Sequence, residues 1–197
     1  MSQFDLDGFV AEAIAISKQD DAYQKIKQLM LSTFKQADKV AAAIGDKFGK
    51  NVILYEDENI SIWNVYFDPA NVVPPHDHQT DVAIGIYQGT ERNFIFQRTE
   101  DTLVLETIKD MSAGDTLFLS PETIHAAGTA TQQPVQGIHI YMAALTTISR
   151  SLFDWDTGQA SSFSDEVYEG LRRESAYLTR YTDTWICLVM SRMLNPS

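Results

Sequence analysis

The chain has 197 residues, 44% of them apolar and 21% charged, which fits one folded domain with a buried core and excludes a disordered chain. Lys and Arg total 15 against 27 Asp and Glu, a net charge of -12, and no basic cluster opposes it, so neither nucleic acid nor an anionic membrane is expected as a partner. The single cysteine, Cys187, can form no intrachain disulfide and no thiolate zinc site by itself.

The opening MSQFDLDGFVAEA lacks the basic region and long apolar stretch of a signal peptide. No apolar run approaches the roughly 18 residues that span a membrane, so a reducing cytoplasm is the expected compartment. Residues 5–49 read as helical, with a short helix from about Asp7 to Ser17 and a longer one after it. Tyr23, Ile26, Leu29 or Met30, Phe34, Ala37, Val40 or Ala41, Ile44 and Phe48 recur at steps of three and four, which lines one helix face. Asp20 and Asp21 are the expected caps at its start, and Gly45 and Gly49 the expected stops.

At Asn51 the period changes. NVILY (51–55), ISIWNVYF (60–67), VAIGIY (82–87), NFIFQR (93–98), TLVLETI (102–108), DTLFLS (115–120) and GIHIYM (137–142) are short runs rich in β-branched and aromatic residues. Asp68-Pro69, Gly89, Asp101, Gly114 and Pro134 punctuate them, the pattern of an antiparallel sandwich or barrel. Helical spacing returns at 165–178 and 182–194. The expected layout is a single domain, mainly β, with a helical segment over 1–50, a barrel over 51–150 and a helical extension over 151–197. That extension packs on the barrel wall or on a partner subunit, so a homodimer is compatible with it.

All four histidines fall in the barrel segment. His76 and His78 flank Asp77, and residues two apart on a strand face the same way, so both rings can look into a barrel. His125, in SPETIHAAG, belongs on another strand. Three imidazoles converging there form an open metal site suited to Fe, Zn, Cu or Ni. Asp77 and Asp81 have the opposite parity and are expected to face away from the metal. Trp63 and Trp155 read as core packing.

The run Pro75-His76-Asp77-His78 to Gly89, followed by Gly114 to His125 with Pro121 between, resembles the two motifs of the cupin fold, a double-stranded β-helix or jelly-roll barrel. In ordinary cupins a Glu ligand precedes that glycine by seven residues, and Val82 occupies the slot here. PPHDHQTDVAIGIYQGTERNFIFQR and IHAAGTATQQPVQGIHIY resemble the thiol dioxygenases of the cysteine dioxygenase type over roughly residues 52–155. The resemblance implies Fe(II) held by His76, His78 and His125, and addition of both atoms of O2 to a substrate thiol. It also implies a catalytic pair in His139-Ile140-Tyr141: the Tyr141 hydroxyl orients dioxygen and thiolate, and His139 hydrogen-bonds that hydroxyl from behind. The chain departs from the family at two places. Gly137 replaces a serine, leaving the relay behind Tyr141 one hydroxyl short, and Val82 replaces the cysteine that crosslinks to the tyrosine in animal members.

A substrate carboxylate calls for arginine, whose planar fork donates two parallel hydrogen bonds. Residues 51–75 contain neither Arg nor Lys. Members resembling 3-mercaptopropionate dioxygenase place the arginine nine residues after the tyrosine, which is Arg150 here. The competing reading of Arg150 is a surface ion pair with Asp154 or Asp156. The expected function is therefore oxidation of a small thiol carboxylic acid to a sulfinic acid with O2. The alternatives are a cupin metalloenzyme acting on a non-thiol molecule and a non-catalytic metal- or ligand-binding cupin.

Overall fold

The computed structural model describes residues 3–183, apart from 101 and 180. Helix α1 (Leu6–Ser17) starts where the Asp5 carboxylate accepts the Gly8 N–H at 3.0 Å. The long helix expected after it is divided. α2 (Ala22–Thr33) passes through a tight turn at Phe34–Gln36 into α3 (Ala37–Ala43). Asp21 does precede α2, but it has a left-handed backbone (φ 56°) and makes no side-chain capping bond. The break has a packing cause. A straight rod would leave the twisted sheet beneath it, whereas the bent segment keeps Ile26, Met30, Phe34, Val40 and Ile44 all buried on that sheet.

The strands are β1 (Val52–Asp57), β2 (Ile60–Phe67), β3 (Asn71–His76), β4 (Val82–Gln88), β5 (Thr90–Arg98), β6 (Leu103–Ser112), β7 (Thr116–Leu119), β8 (Ile124–Thr129) and β9 (Val135–Tyr141). Their antiparallel pairing is nested: β2 with β9, β3 with β8, β4 with β7, β5 with β6. One long hairpin has in effect been rolled up, and β4–β9 and β5–β8 contacts join successive turns of the roll. The result is two facing sheets, β1-β2-β9-β4-β7 and a second containing β3-β8-β5-β6. This is the double-stranded β-helix of the cupin fold.

Strand alternation sorts side chains into three cores. Val82, Ile84, Ile86, Leu117, Val135 and Tyr141 fill the barrel interior. Ile60, Ile62, Ala83, Ile138 and Ile140 point outward and carry the N-terminal helices. Phe94, Phe96, Ile124 and Ala126 point outward from the other sheet and carry the C-terminal segment through Phe153, Trp155 and Leu178.

The segment after position 150 is not wholly helical. β10 (Ser151–Phe153) pairs with β3 at His76 and with β11 (Ala160–Ser162). α4 (Asp165–Leu171) is capped by Ser164, but it ends seven residues before the 178 expected from spacing. The chain there turns extended, and β12 (Arg173–Glu174) hydrogen-bonds the free edge of β3. Edge pairing outweighs helix propensity over these residues. Of the helix expected at 182–194, all but the first two residues lie outside the described ones. No helix among the described residues is long and apolar enough to cross a membrane.

Gly85 faces outward on β4, and a Cβ there would overlap the Phe34 ring, which is itself locked in the helix–sheet core. Gly85→Ala should therefore destabilise the fold by about 1–3 kcal/mol through overpacking. Denaturant unfolding should show this as a lowered midpoint at unchanged slope.

Candidate metal centre and its surroundings

β3 carries two prolines, Pro74 and Pro75, neither of which can donate to the strand ladder. The β3–β8 register slips between Val73 and His76, and the bulge turns His76 inward opposite His125 on β8. The strand ends at His76, so His78 lies beyond it and not on it as expected. Gln79 follows with φ 52°, a strained value for a residue with a side chain. Its N–H donates to Pro121 O and its amide donates to Asp77 Oδ2 at 2.8 Å. Asp77 Oδ1 accepts the Ser151 N–H at 2.8 Å, so Asp77 fastens this turn to β10, and these bonds, not strand parity, occupy its carboxylate, because β3 has already ended.

The three rings cluster with centroids 4.4 to 5.0 Å apart and planes tilted by 44° to 81°, and one ligand-capable nitrogen from each lies within 4.8 Å of the others. Neighbouring acceptors set two of the tautomers. His76 Nδ1 donates to the Pro74 carbonyl at 2.9 Å, which leaves Nε2 bare. His125 Nδ1 donates to Asn93 Oδ1 at 2.8 Å, and its Nε2 has no partner. His76 Nε2 lies 3.1 Å from His78 Nε2. Two nitrogens at right angles on one ion, each about 2.1 Å from it, are separated by about that much. The donor set therefore fits a divalent first-row metal. Burial pushes His76 down to about 4, with Arg150 adding to the shift. It drives His78 and His125 well below the ordinary imidazole range, so all three rings are neutral donors. Val82 is fully buried and faces Tyr141 across β4–β9, so neither a fourth carboxylate ligand nor a thioether can form at that slot.

His139 and Tyr141 share the inner face of β9, with His139 Nδ1 3.3 Å from the phenol oxygen. The Tyr141 ring lies 5.3 Å from that of His78, and burial raises its pKa, so it is a phenol and not a phenolate. Arg150 lines the same cavity of about 210 Å³ as the three histidines and Tyr141. Its guanidinium carbon sits 3.5 Å from the centre of the Phe163 ring. Among the described residues no carboxylate pairs with it, so the surface ion pair with Asp154 or Asp156 is not formed; Asp154 accepts instead from residues 156 and 157. Burial lowers the Arg150 pKa, opposed by Tyr141, Asp77 and Tyr168.

The cavity opens into a cleft of about 750 Å³, and Asn51, Trp63, Leu145, Arg150, Phe163 and Tyr168 line both. Phe163 and Tyr168 come from the C-terminal segment, which carries no motif. Trp63 belongs to the wall and not only to the core, and its Nε1–H is buried without a partner. Trp155 is a packing residue on the outer face, donating to Leu171 O at 2.7 Å. The sequence reading also passed over Glu91 and Asn93, two buried polar residues on β5. A polar pair two apart on a strand, in phase with the histidine face, was the available signal.

The buried side-chain nitrogen and oxygen atoms lacking a partner among the described residues are those of Trp63, His78, Glu91, His125 and His139. All five residues lie in or beside this one site. Each such group costs about 1–3 kcal/mol, so their concentration marks a place shaped by something other than stability.

No protein-family model matches the chain. No curated protein matches it either. Among solved structures the chain is similar to a protein with a double-stranded β-helix domain from Klebsiella pneumoniae, at 13% identity over 53% of this chain and 80% of that one, TM-score 0.43. It is also similar to a cupin superfamily protein from Desulfitobacterium hafniense, at 16% identity over 55% and 88%, TM-score 0.41. A third is the DMSP lyase DddQ from Ruegeria pomeroyi, at 17% identity over 54% of each chain, TM-score 0.41. At these values the likeness has no bearing on the chemistry, and the fold stands on the strand pairing itself.

Gly137 lies against β4, and a Cβ there would be 2.6 Å from the Gly85 carbonyl oxygen. Gly137→Ser should thus fail to rebuild the hydroxyl found in the resembled family. It should instead lower the thermal midpoint by several degrees, because backbone and not a mobile side chain must give way.

Proposed function

We propose that the chain is an Fe(II)-dependent dioxygenase that oxidises a small thiol carboxylic acid, 3-mercaptopropionate-like or cysteine-like, to the sulfinic acid. Thiol and O2 sum to the sulfinic acid without a further reductant. The observation that carries this reading is Arg150: an unpaired, half-buried cation facing a cavity with three neutral imidazoles and a phenol. Its fork needs a carboxylate, and Phe163 holds the fork in plane.

His76, His78 and His125 would hold the iron. When bound, iron supplies the redox chemistry through which dioxygen reacts with a thiol sulfur. The three neutral donors leave the positive charge of such an ion uncancelled, so the pocket favours a thiolate over a thiol. With the thiolate at the histidines and the carboxylate at Arg150, the two ends of a short acid are fixed, and among the described residues no carboxylate lines the inner cavity to receive an α-amino group. Tyr141 keeps its proton at the phenol oxygen and offers it as a hydrogen bond to the reacting atoms. Val65 and Leu145 present apolar surface that keeps water from the sulfur.

The wide cleft beyond Arg150 favours a second reading, a cupin metalloenzyme acting on a larger non-thiol acid. Oxygen consumption by iron-loaded protein against a panel of thiols, with sulfinate detection, separates the two. Uptake with no thiol in the panel, from protein that holds its iron, would end the dioxygenase reading.

Two outcomes follow at the level of residues. His76→Ala, His78→Ala and His125→Ala should each lose most of about one iron per chain, since three neutral imidazoles have little affinity to spare. Metal analysis on the folded variants checks this. Arg150→Ala should raise KM for mercaptopropionate about 30-fold or more, the equivalent of roughly 2 kcal/mol for a broken charge pair, while iron content stays constant. Arg150→Lys should recover only part of that, and cysteamine, lacking the carboxylate, should respond to neither change.

A further inference from the structure

Behind His139 lies a carboxylate that none of the preceding steps uses. Glu91 has zero exposure on β5. One of its oxygens, Oε1, accepts the Asn93 amide N–H at 2.7 Å, and the oxygen of the same amide receives the His125 ring N–H. The other, Oε2, has no hydrogen-bond partner and lies 3.8 Å from His139 Nε2, which has none either. Two orphaned polar atoms thus face each other in a sealed space, and the far nitrogen of the same imidazole faces Tyr141.

We propose that Glu91 is a positioning residue, the third member of a buried Tyr141–His139–Glu91 relay, and that its carboxyl group sets the tautomer of His139 and so the direction in which Tyr141 points its hydrogen. This deepens the proposed function and rests on it for the role of Tyr141. The relay replaces the serine hydroxyl that Gly137 cannot carry, and it does so from a different strand.

The logic is one of donors and acceptors. A carboxylate at Glu91 faces His139 Nε2 at 3.8 Å and favours a proton on that nitrogen by its charge, so Nδ1 is bare and takes the Tyr141 hydrogen, turning it away from the cavity. A protonated Glu91 turns its own hydrogen toward Nε2 and favours a bare nitrogen there, so Nδ1–H faces the phenol oxygen, and the Tyr141 hydrogen is free to point at the substrate. Burial raises Glu91 to about 7, opposed by the Asn93 hydrogen bond, so both forms are within reach of ordinary conditions. Burial pushes His139 down to about 3, with His76 adding, so the ring changes tautomer and not charge. The groups facing Glu91 are few. They are His139 and Tyr141 from β9, Asn93 on its own strand, Met111 across on β6 and Thr129 across on β8. Among the described residues no lysine, arginine or second carboxylate comes within ion-pair distance of it.

The test is nitrogen NMR of the full-length chain, labelled at its four histidines and loaded with Zn(II) as a diamagnetic ion, with His139 assigned by its absence in His139→Asn. In wild type the bare nitrogen of His139 should move from Nε2 to Nδ1 as pH rises through about 7. In Glu91→Gln, whose amide imitates the protonated acid, Nε2 should be bare at every pH. One tautomer throughout in both proteins, or a ring doubly protonated throughout, overturns the proposal. If the variant does not fold, the wild-type titration alone decides. Turnover adds an independent arm. Wild-type kcat on mercaptopropionate should fall as pH rises through about 7, toward tenfold per pH unit, at steady KM. Glu91→Gln should hold its kcat over that range, and equal pH profiles for the two proteins would overturn the role in catalysis. Absence of any thiol turnover together with a normal tautomer switch would remove the dioxygenase reading and leave the relay standing.

Discussion

Bare imidazole nitrogens buried in an apolar barrel need something to face, and much of this molecule can be traced to that need. A lone pair taken from water without a partner costs free energy, and here His125 Nε2 has no partner while His76 Nε2 and His78 Nε2 face each other at 3.1 Å. Fixing them takes acceptors on the other side of each ring. Pro74 serves His76 through a carbonyl that a strand bulge has freed, and Asn93 serves His125 from the neighbouring strand. The rolled hairpin supplies the closeness, because β3 pairs with β8 and β8 pairs with β5.

Around that centre the charges are arranged unevenly. Arg150 stands at the mouth, where the inner cavity meets the outer cleft, and Glu91 stands at the back, sealed behind His139. The three rings between them are neutral. A cation at the entrance and a carboxyl group that is only marginally ionised at the rear leave the middle short of negative charge. Val82 contributes by being apolar: a carboxylate in its place would have cancelled charge where it is most useful.

What could be read from the sequence follows from how local each signal is. His76, His78 and His125 stand in short motifs between turn residues, which was enough to suggest that they converge, whereas His139, Tyr141 and Arg150 were added by the resemblance to the thiol dioxygenases and not by parity or spacing alone. The strands β3 and β8 themselves were harder, since two prolines interrupt one and AAGTA gives the other little β-branched character. The helix break at Phe34 depends on the curvature of a sheet that the helical segment does not encode. Glu91 and Asn93 were passed over for a related reason. The run NFIFQR reads as a strand that begins only at Asn93, so Glu91 falls before it, and the pairing of β5 with β8 shows the pair on one strand. Trp63, Phe163 and Tyr168 line the cavity through contacts made far along the chain.

Gly137 joins these observations into one constraint. The closeness of β9 to β4 that lets Tyr141 reach the histidines also forbids a side chain at 137, two positions before His139 on the same inward face. A relay running along β9 is therefore blocked by the same packing that places the tyrosine. The opposite sheet offers another approach to the far side of the His139 ring, and Glu91 occupies it. A carboxyl group arriving from there differs from a hydroxyl in one respect that matters chemically: it can exist with or without its proton. Rerouting the relay across the barrel thus changes what the relay can do, from holding a tautomer to choosing one, and the choice is made by a group that touches neither the metal ligands nor the cavity.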